Sequence, residues 1–251
     1  MNAAPTLRIV ADAGTLAAEA AALVIERARA AVAERGRFMW ALSGGATPRA
    51  TYARLAESPE RARMPWEQTW VFFGDERCVP PDHPESNYRM ASETLLAKVP
   101  VPAGQVFRMR GEAVDAEAAA AEYTRTLAEA FGTRRGELPR FDVILLGFGV
   151  DGHTASLFPG SPALKEIFRP VAAVHAAAAA LPQRLTLTYP VLNAAACVVF
   201  LGSGAEKAKV VKTMLGEHAR LPAAMVQPTD GTLLWILDRD AAVLLSPGSA
   251  R

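Results

Sequence analysis

The chain has 251 residues, 51% hydrophobic and 21% charged, and its 27 basic and 26 acidic side chains leave a formal net charge of +1. That balance excludes global disorder and gives no electrostatic support to nucleic-acid or membrane-surface binding, while a local cation cluster around a small anion stays open. Cys78 and Cys197 stand in no metal-ligand spacing, no secretory leader is visible, and the longest apolar tract, Val171–Leu181, is too short for a bilayer, so a reduced cytoplasmic protein is expected.

In chain order, Leu7–Val10 reads as a strand and Thr15–Glu34 as an alanine-rich helix with Gly36 as its stop. Phe38–Leu42 is an apolar strand that runs through Ser43-Gly44-Gly45-Ala46-Thr47-Pro48 into a helix over Arg49–Glu57, with Thr47 as the expected N-cap. Such a junction turns backbone N–H groups and the positive end of a helix dipole outward, which suits phosphate; the lysine of a P-loop is missing. Thr69–Phe73 is a third buried strand, ending in Gly74-Asp75-Glu76-Arg77, whose consecutive charges are costly to bury unless paired or used. An ordered loop over Val79–Asn87 follows, then a helix over Asn87–Ala97 capped by Ser86, a strand at Gln105–Met109, and an amphipathic helix over Val114–Phe131.

The stretch Phe141–Pro162 holds the chemistry. Val143–Leu146 has the pattern of a strand buried on both faces, and Gly147 and Gly149 end it. Asp151 and His153 then place a carboxylate and an imidazole just past a strand's carboxyl end, where open α/β sheets bind ligands. Pro170–His175 and Arg184–Thr188 read as strands joined by the low-complexity tether Ala176–Pro182. Ala196–Leu201 leads through Gly202-Ser203-Gly204-Ala205-Glu206-Lys207 into a helix to about Leu215. Lys207 in its first turn opposes the macrodipole, an odd structural choice and a good anion ligand. Pro222–Val226 is a short helix and Leu233–Leu237 the final strand. Alternating helices and strands with no repeat or linker indicate one domain over residues 1–251, built on a mainly parallel, doubly wound sheet.

In a parallel sheet the loops at Ser43–Thr47, Gly74–Arg77, Gly147–His153 and Gly202–Lys207 share one edge. That edge gathers two phosphate-competent helix N-termini, the cations Arg77 and Lys207, the carboxylates Asp75, Glu76 and Asp151, and one imidazole. There is no His/Cys set at metal spacing and no Ser in a G-x-S-x-G elbow. The inventory fits acid/base chemistry on a phosphorylated small molecule.

LSGGATP, FFGDERCVPPDHPESN, GFGVDGHTASLFPGSP, RLTLT and GSGAEKA, in that order, resemble the 6-phosphogluconolactonases of the glucosamine-6-phosphate isomerase-like superfamily, from about Leu7 to Leu237. The resemblance implies a three-layer αβα, Rossmann-like fold and hydrolysis of 6-phospho-D-glucono-1,5-lactone to 6-phosphogluconate, with no obligatory metal and no cofactor. It implies a small-molecule sugar-phosphate lactone as partner, no nucleic acid or membrane, and a monomer or small homo-oligomer. Carried over motif by motif, His153 matches the catalytic histidine, Asp151 its neighbouring carboxylate, and Arg77 the arginine at the substrate. Ser43, Gly44, Gly45, Thr47, Asp75, Arg184 and Lys207 match the positions around substrate and phosphate.

The residues agree chemically. A lactone is an activated ester, so a water deprotonated by an imidazole suffices, with a cation or loop amides for the developing oxyanion. Two alternatives stay open: a sugar-phosphate isomerase/deaminase of the same superfamily and a non-catalytic sugar-phosphate sensor. In the deaminating branch a glutamate follows the DGH histidine by five residues; here that position is Phe158, and the branch's Asp-Glu-Tyr reads Asp75-Glu76-Arg77. The sensor reading would be favoured by loss of His153 or Asp151, and both are present.

Overall fold

The computed structural model describes residues 5–177 and 179–246, so Ala178 of the expected tether and both ends of the expected 1–251 domain lie outside the described residues. Strand β1 (Thr6–Val10) precedes helix α1 (Ala13–Arg35), which Asp12 caps through the Thr15 amide at 2.7 Å and Gly36 stops in the left-handed region. Then come β2 (Phe38–Leu42), α2 (Ala46–Ala56), α3 (Glu60–Arg63), β3 (Thr69–Phe73), β4 (Asp75–Arg77), α4 (Asn87–Thr94) and α5 (Ala116–Phe131). The second half runs β5 (Val143–Leu146), β6 (Val171–His175), β7 (Gln183–Leu187), α6 (Tyr189–Ala194), β8 (Cys197–Gly202), α7 (Ala208–Val211), β9 (Thr232–Asp238) and α8 (Arg239–Ala242).

Six strands form an all-parallel sheet in the order β1-β9-β8-β5-β2-β3. Successive side chains on a strand point to opposite faces, and here both faces are apolar. Phe38, Trp40, Leu42, Val143, Leu145, Val199 and Leu201 join one core with α1, α2 and α4. Met39, Ala41, Ile144, Leu146, Val198, Phe200 and Trp235 join the other with α5 and α6. The result is three layers, αβα, as the alternation of elements implied. No helix among the described residues is long and apolar enough to cross a membrane.

A second sheet departs from the sequence reading. Gly74–Arg77, expected as a loop, becomes β4 and pairs antiparallel with β7, which pairs with β6. This small sheet joins the core of the α5 side through Val171, Val174, Leu185 and Leu187. The expected strand at Gln105–Met109 is absent: Val106 makes a single parallel bridge to Val71. The reason is Tyr123, whose hydroxyl accepts from the Phe73 amide (3.0 Å) and donates to the Phe107 carbonyl (3.1 Å), so a side chain takes the place of the next ladder bond. The helix expected after Lys207 is broken into a 3₁₀ turn (Ala205–Lys207), α7 and a π turn (Lys212–Gly216). Asp115, whose carboxylate accepts from the Glu117 and Ala118 amides, moves the start of α5 to Ala116. Helix α4 is shorter than expected: it ends at Thr94, and a 3₁₀ turn follows at Leu96–Lys98. Both cysteines are free; Cys197 is buried, and burial pushes the Cys78 thiol up as well.

Candidate active site

The loops after β2, β5 and β8 meet strands β4 and β7 at one edge of the parallel sheet around a cavity of about 530 Å³, a size that suits a small phosphorylated ligand. Ser43, Gly44, Gly45, Thr47, Asp75, Arg77, His153, Arg184 and Lys207 line it; Asp151 stands behind His153 and Glu76 is turned away. Among the described residues, no group of three His, Cys, Asp or Glu side chains is arranged to hold a metal ion.

One wall is the junction from β2 to α2. Gly45, not Thr47, is the N-cap, with φ 105° and no side-chain cap, so the first-turn amides face the cavity end without an internal acceptor from the cap. Thr47 and Pro48 lie within the first turn instead. The Tyr52 hydroxyl clamps the strand end by accepting from the Ser43 amide (2.8 Å) and donating to its carbonyl (2.9 Å). Gly44 is required by a close approach: a Cβ there would lie 2.0 Å from Asn87 Oδ1. That carboxamide is 2% exposed, and its Oδ1 has no hydrogen-bond partner among the described residues.

The facing wall is the turn after β8. Asp238, at the end of β9, accepts from the Ser203 hydroxyl and from the Gly204 amide (3.1 Å), and also caps α8 through the Ala241 amide (2.8 Å). This carboxylate fixes the turn that carries Lys207. Lys207 Nζ donates to the Phe148 carbonyl (2.9 Å) and lies 5.8 Å from the centre of the Phe148 ring.

The small sheet supplies the remaining charges. In the β4–β7 register Arg77 is directly opposite Arg184, a like-charge pair that costs stability unless an anion is received between them. Each donates to a backbone carbonyl rather than to a carboxylate, Arg77 Nη1 to Glu85 (2.6 Å) and Arg184 Nε to Leu181 (3.0 Å). Burial holds the Arg184 guanidinium below its usual range; the Asp75 charge works against this and the Arg77 charge with it. Asp75 is buried with both oxygens engaged, Oδ1 by Asn87 Nδ2 (3.1 Å) and Oδ2 by the Ser156 hydroxyl (2.7 Å). Glu76 resolves the cost of burying consecutive charges in another way. Its carboxylate accepts from the amides of Arg77, Asn87 and Tyr88 and from the Ser86 hydroxyl, which ties β4 to the start of α4. Burial still pushes its carboxyl above the usual range against those four donors.

The imidazole comes from the loop after β5. His153 Nδ1 is 2.6 Å from Asp151 Oδ1, and the His153 amide donates to the same oxygen at 3.1 Å. Burial raises the Asp151 carboxyl, but the His153 amide and then the imidazole outweigh it and hold the group below the usual carboxylate range. With the proton on Nδ1 shared with this carboxylate, the basic lone pair is on Nε2. Gly149 makes the arrangement sterically feasible, since a Cβ there would lie 2.2 Å from His153 Nδ1. Thr154 Oγ1 ties the loop to the Gly147 carbonyl (2.9 Å), and Ala155 turns it with φ 46°.

Residues 11–235 match the family described as glucosamine-6-phosphate isomerases/6-phosphogluconolactonase. The chain belongs to this family. A 6-phosphogluconolactonase of Synechocystis is 41% identical over 247 residues, covering 97% of this chain and 100% of the relative. One from Rattus norvegicus is 44% identical, covering 92% and 90%. The solved 6-phosphogluconolactonase of Trypanosoma brucei superposes with a TM-score of 0.85 at 33% identity, covering 97% of this chain and 99% of that one.

Within this family fold the sequence reading assembles its own list of residues at one edge, and misses the side chains that fix them. Tyr52, Asn87, Ser156 and Asp238 are second partners of Ser43, Asp75 and the Ser203–Gly204 turn. Ser86 and Asn87 close the FFGDERCVPPDHPESN motif of the resemblance and mark the start of α4, but nothing in that stretch points to the contact of Asn87 with Asp75.

Proposed function

We propose that this chain hydrolyses 6-phospho-D-glucono-1,5-lactone to 6-phospho-D-gluconate, in the oxidative branch of the pentose phosphate pathway, as one catalytic unit in the cytoplasm. The observation that carries the reading is the His153–Asp151 pair at the wall of a cavity where Arg77 and Arg184 stand opposed, each donating to a backbone carbonyl and, among the described residues, neither to a carboxylate. An imidazole base beside cations whose hydrogen bonds are not taken by carboxylates is what ester hydrolysis on an anionic substrate requires. The names of relatives similar over nearly the whole chain support the same substrate.

The chemistry follows from the placement. The 6-phosphate sits at the first turn of α2 with Arg184 and Lys207, and holding this remote group orients C1. His153 Nε2 takes a proton from a water as its oxygen attacks C1, and Asp151 keeps the imidazole in the required tautomer. Negative charge on the carbonyl oxygen is met by Arg77 or by loop amides. Collapse of the tetrahedral species breaks the bond from C1 to the ring oxygen, which takes the proton back from the imidazolium, leaving the open-chain acid.

The isomerase/deaminase alternative needs a carboxylate free to move a proton between C1 and C2, whereas both oxygens of Asp75 already accept hydrogen bonds. The test is a direct assay on freshly generated lactone, corrected for spontaneous hydrolysis, beside an assay for ammonia release from glucosamine-6-phosphate. Lactone hydrolysis that His153→Ala lowers by roughly 10²–10⁴ in kcat, without ammonia release, is expected. Ammonia release with fructose-6-phosphate as product would reverse the reading.

A further inference from the structure

Phe158 stands where the deaminating branch places a glutamate, and a phenyl ring neither accepts nor relays a proton. Its surroundings give it another task. The His153 imidazole packs on the Phe158 ring with centroids 4.4 Å apart and planes 30° from parallel. The Arg184 guanidinium lies 5.5 Å from the centre of the same ring. The loop is built to bring this about: Thr154 and Leu157 form a bridge, with Ala155 left-handed between them, so the chain doubles back and returns Phe158 over His153.

We propose that Phe158 is a positioning residue, one aromatic platform that holds the imidazole of His153 and the guanidinium of Arg184 in register for the same substrate. The argument is one of constraint. The imidazole side chain is 30% exposed, and its hydrogen-bond partner Asp151 is 47% exposed, so water competes for that single bond. Stacking supplies the second constraint that a lone, half-wet hydrogen bond lacks. The ring face also attracts cations. It therefore favours the imidazolium that forms when His153 takes the water's proton, and it accommodates Arg184 where burial strips water from the guanidinium. A leucine of similar bulk would fill the space and do neither.

The kinetic half of the test rests on the lactonase reading; the spectroscopic half does not. In ligand-free protein, an NOE between the His153 and Phe158 rings is expected, with His153 ring protons shifted upfield by the stacked phenyl. Phe158→Leu should return those resonances downfield and lower kcat by roughly ten- to a hundredfold, with a smaller rise in KM for the phosphorylated lactone. Phe158→Tyr keeps the face of the ring and should retain most of both. Unshifted His153 resonances with near-normal kcat in Phe158→Leu would overturn the proposal, as would equal losses in the Leu and Tyr variants. Should the leucine variant fail to fold, absence of the ring-to-ring NOE in the wild type overturns it alone. A wild type that shows the contact but hydrolyses no lactone refutes the function and leaves the placement standing.

Discussion

The worth of Asp151 is set by how much water reaches it. The carboxylate and imidazole are 2.6 Å apart at their nearest atoms, with side chains 47% and 30% exposed. Two unit charges about 4 Å apart interact by about 1 kcal/mol in water and about 4 kcal/mol at an effective dielectric of about 20. Half-exposure places this pair toward the lower end, at about 1–2 kcal/mol. Asparagine keeps an acceptor oxygen for the Nδ1 proton and removes only the charge. Asp151→Asn should therefore lower kcat by roughly 5- to 30-fold, well short of the ~10⁴ seen when a buried triad aspartate is replaced. The carboxylate is held ionised below its usual range, so the charge that asparagine removes is present when the imidazole takes the water's proton. The measurement is kcat on fresh lactone with the spontaneous rate subtracted. A loss of ~10⁴ would refute the magnitude drawn from exposure, and would mean that Asp151 fixes the tautomer of His153 as fully as a buried triad aspartate does.

Arg184→Ala and Lys207→Ala should chiefly raise KM, each by the equivalent of about 1.5–3 kcal/mol for a charged hydrogen bond; equal losses on phosphorylated and unphosphorylated gluconolactone would place these cations elsewhere. Exhaustive chelation should leave the lactonase rate unchanged, because water activation is assigned to an imidazole, and a loss restored by zinc would overturn that assignment. Glu166 accepts from the amides of Ile167, Phe168 and Arg169 and from Arg169 Nε. The Arg169 and Phe168 amides, with the guanidinium, lower its carboxyl to about 2. A depressed carboxyl contributes stability above its unfolded value, lost as pH falls through the folded one. Urea melts between pH 5 and 2 should thus lose stability more steeply in the wild type than in Glu166→Gln; parallel curves would show that the turn contributes nothing to acid sensitivity.

The parallel sheet was legible because five of its six strands are short apolar runs buried on both faces; the edge strand β1, with Thr6, Arg8 and Ile9 exposed, is the exception. Asp151 and His153 were legible because they lie two residues apart on one loop, so their meeting needs no knowledge of the fold. The second sheet was not. Asp75–Arg77 has three charges and no apolar alternation, and only its pairing with β7 makes it a strand. For the same reason the opposition of Arg77 and Arg184 cannot be read from residues more than a hundred positions apart. Thr47 was expected as the cap of α2 because threonine favours that position, but the positive φ of Gly45 begins the helix two residues earlier and keeps the cavity free of a capping side chain. Gln105–Met109 has strand composition and is denied a ladder by one tyrosine hydroxyl. Asn87, Ser156 and Asp238 carry no local signal, since each acts by reaching a segment distant in sequence.

The strand order has a consequence for the chain while it is being made. Strand β9 lies between β1 and β8, so β1 has no neighbour in the sheet until residues 232–238 have been synthesised. Until then one edge of β8, six buried residues reading CVVFLG, is open to any extended partner. The turn bearing Lys207 also waits, because Asp238, which holds Ser203 and Gly204, is the last residue of β9. At about 5–20 residues per second of synthesis, the nascent protein carries an apolar edge and an unbraced anion site until β9 leaves the ribosome. Burial of that edge and completion of the site are then the same event, the insertion of one strand.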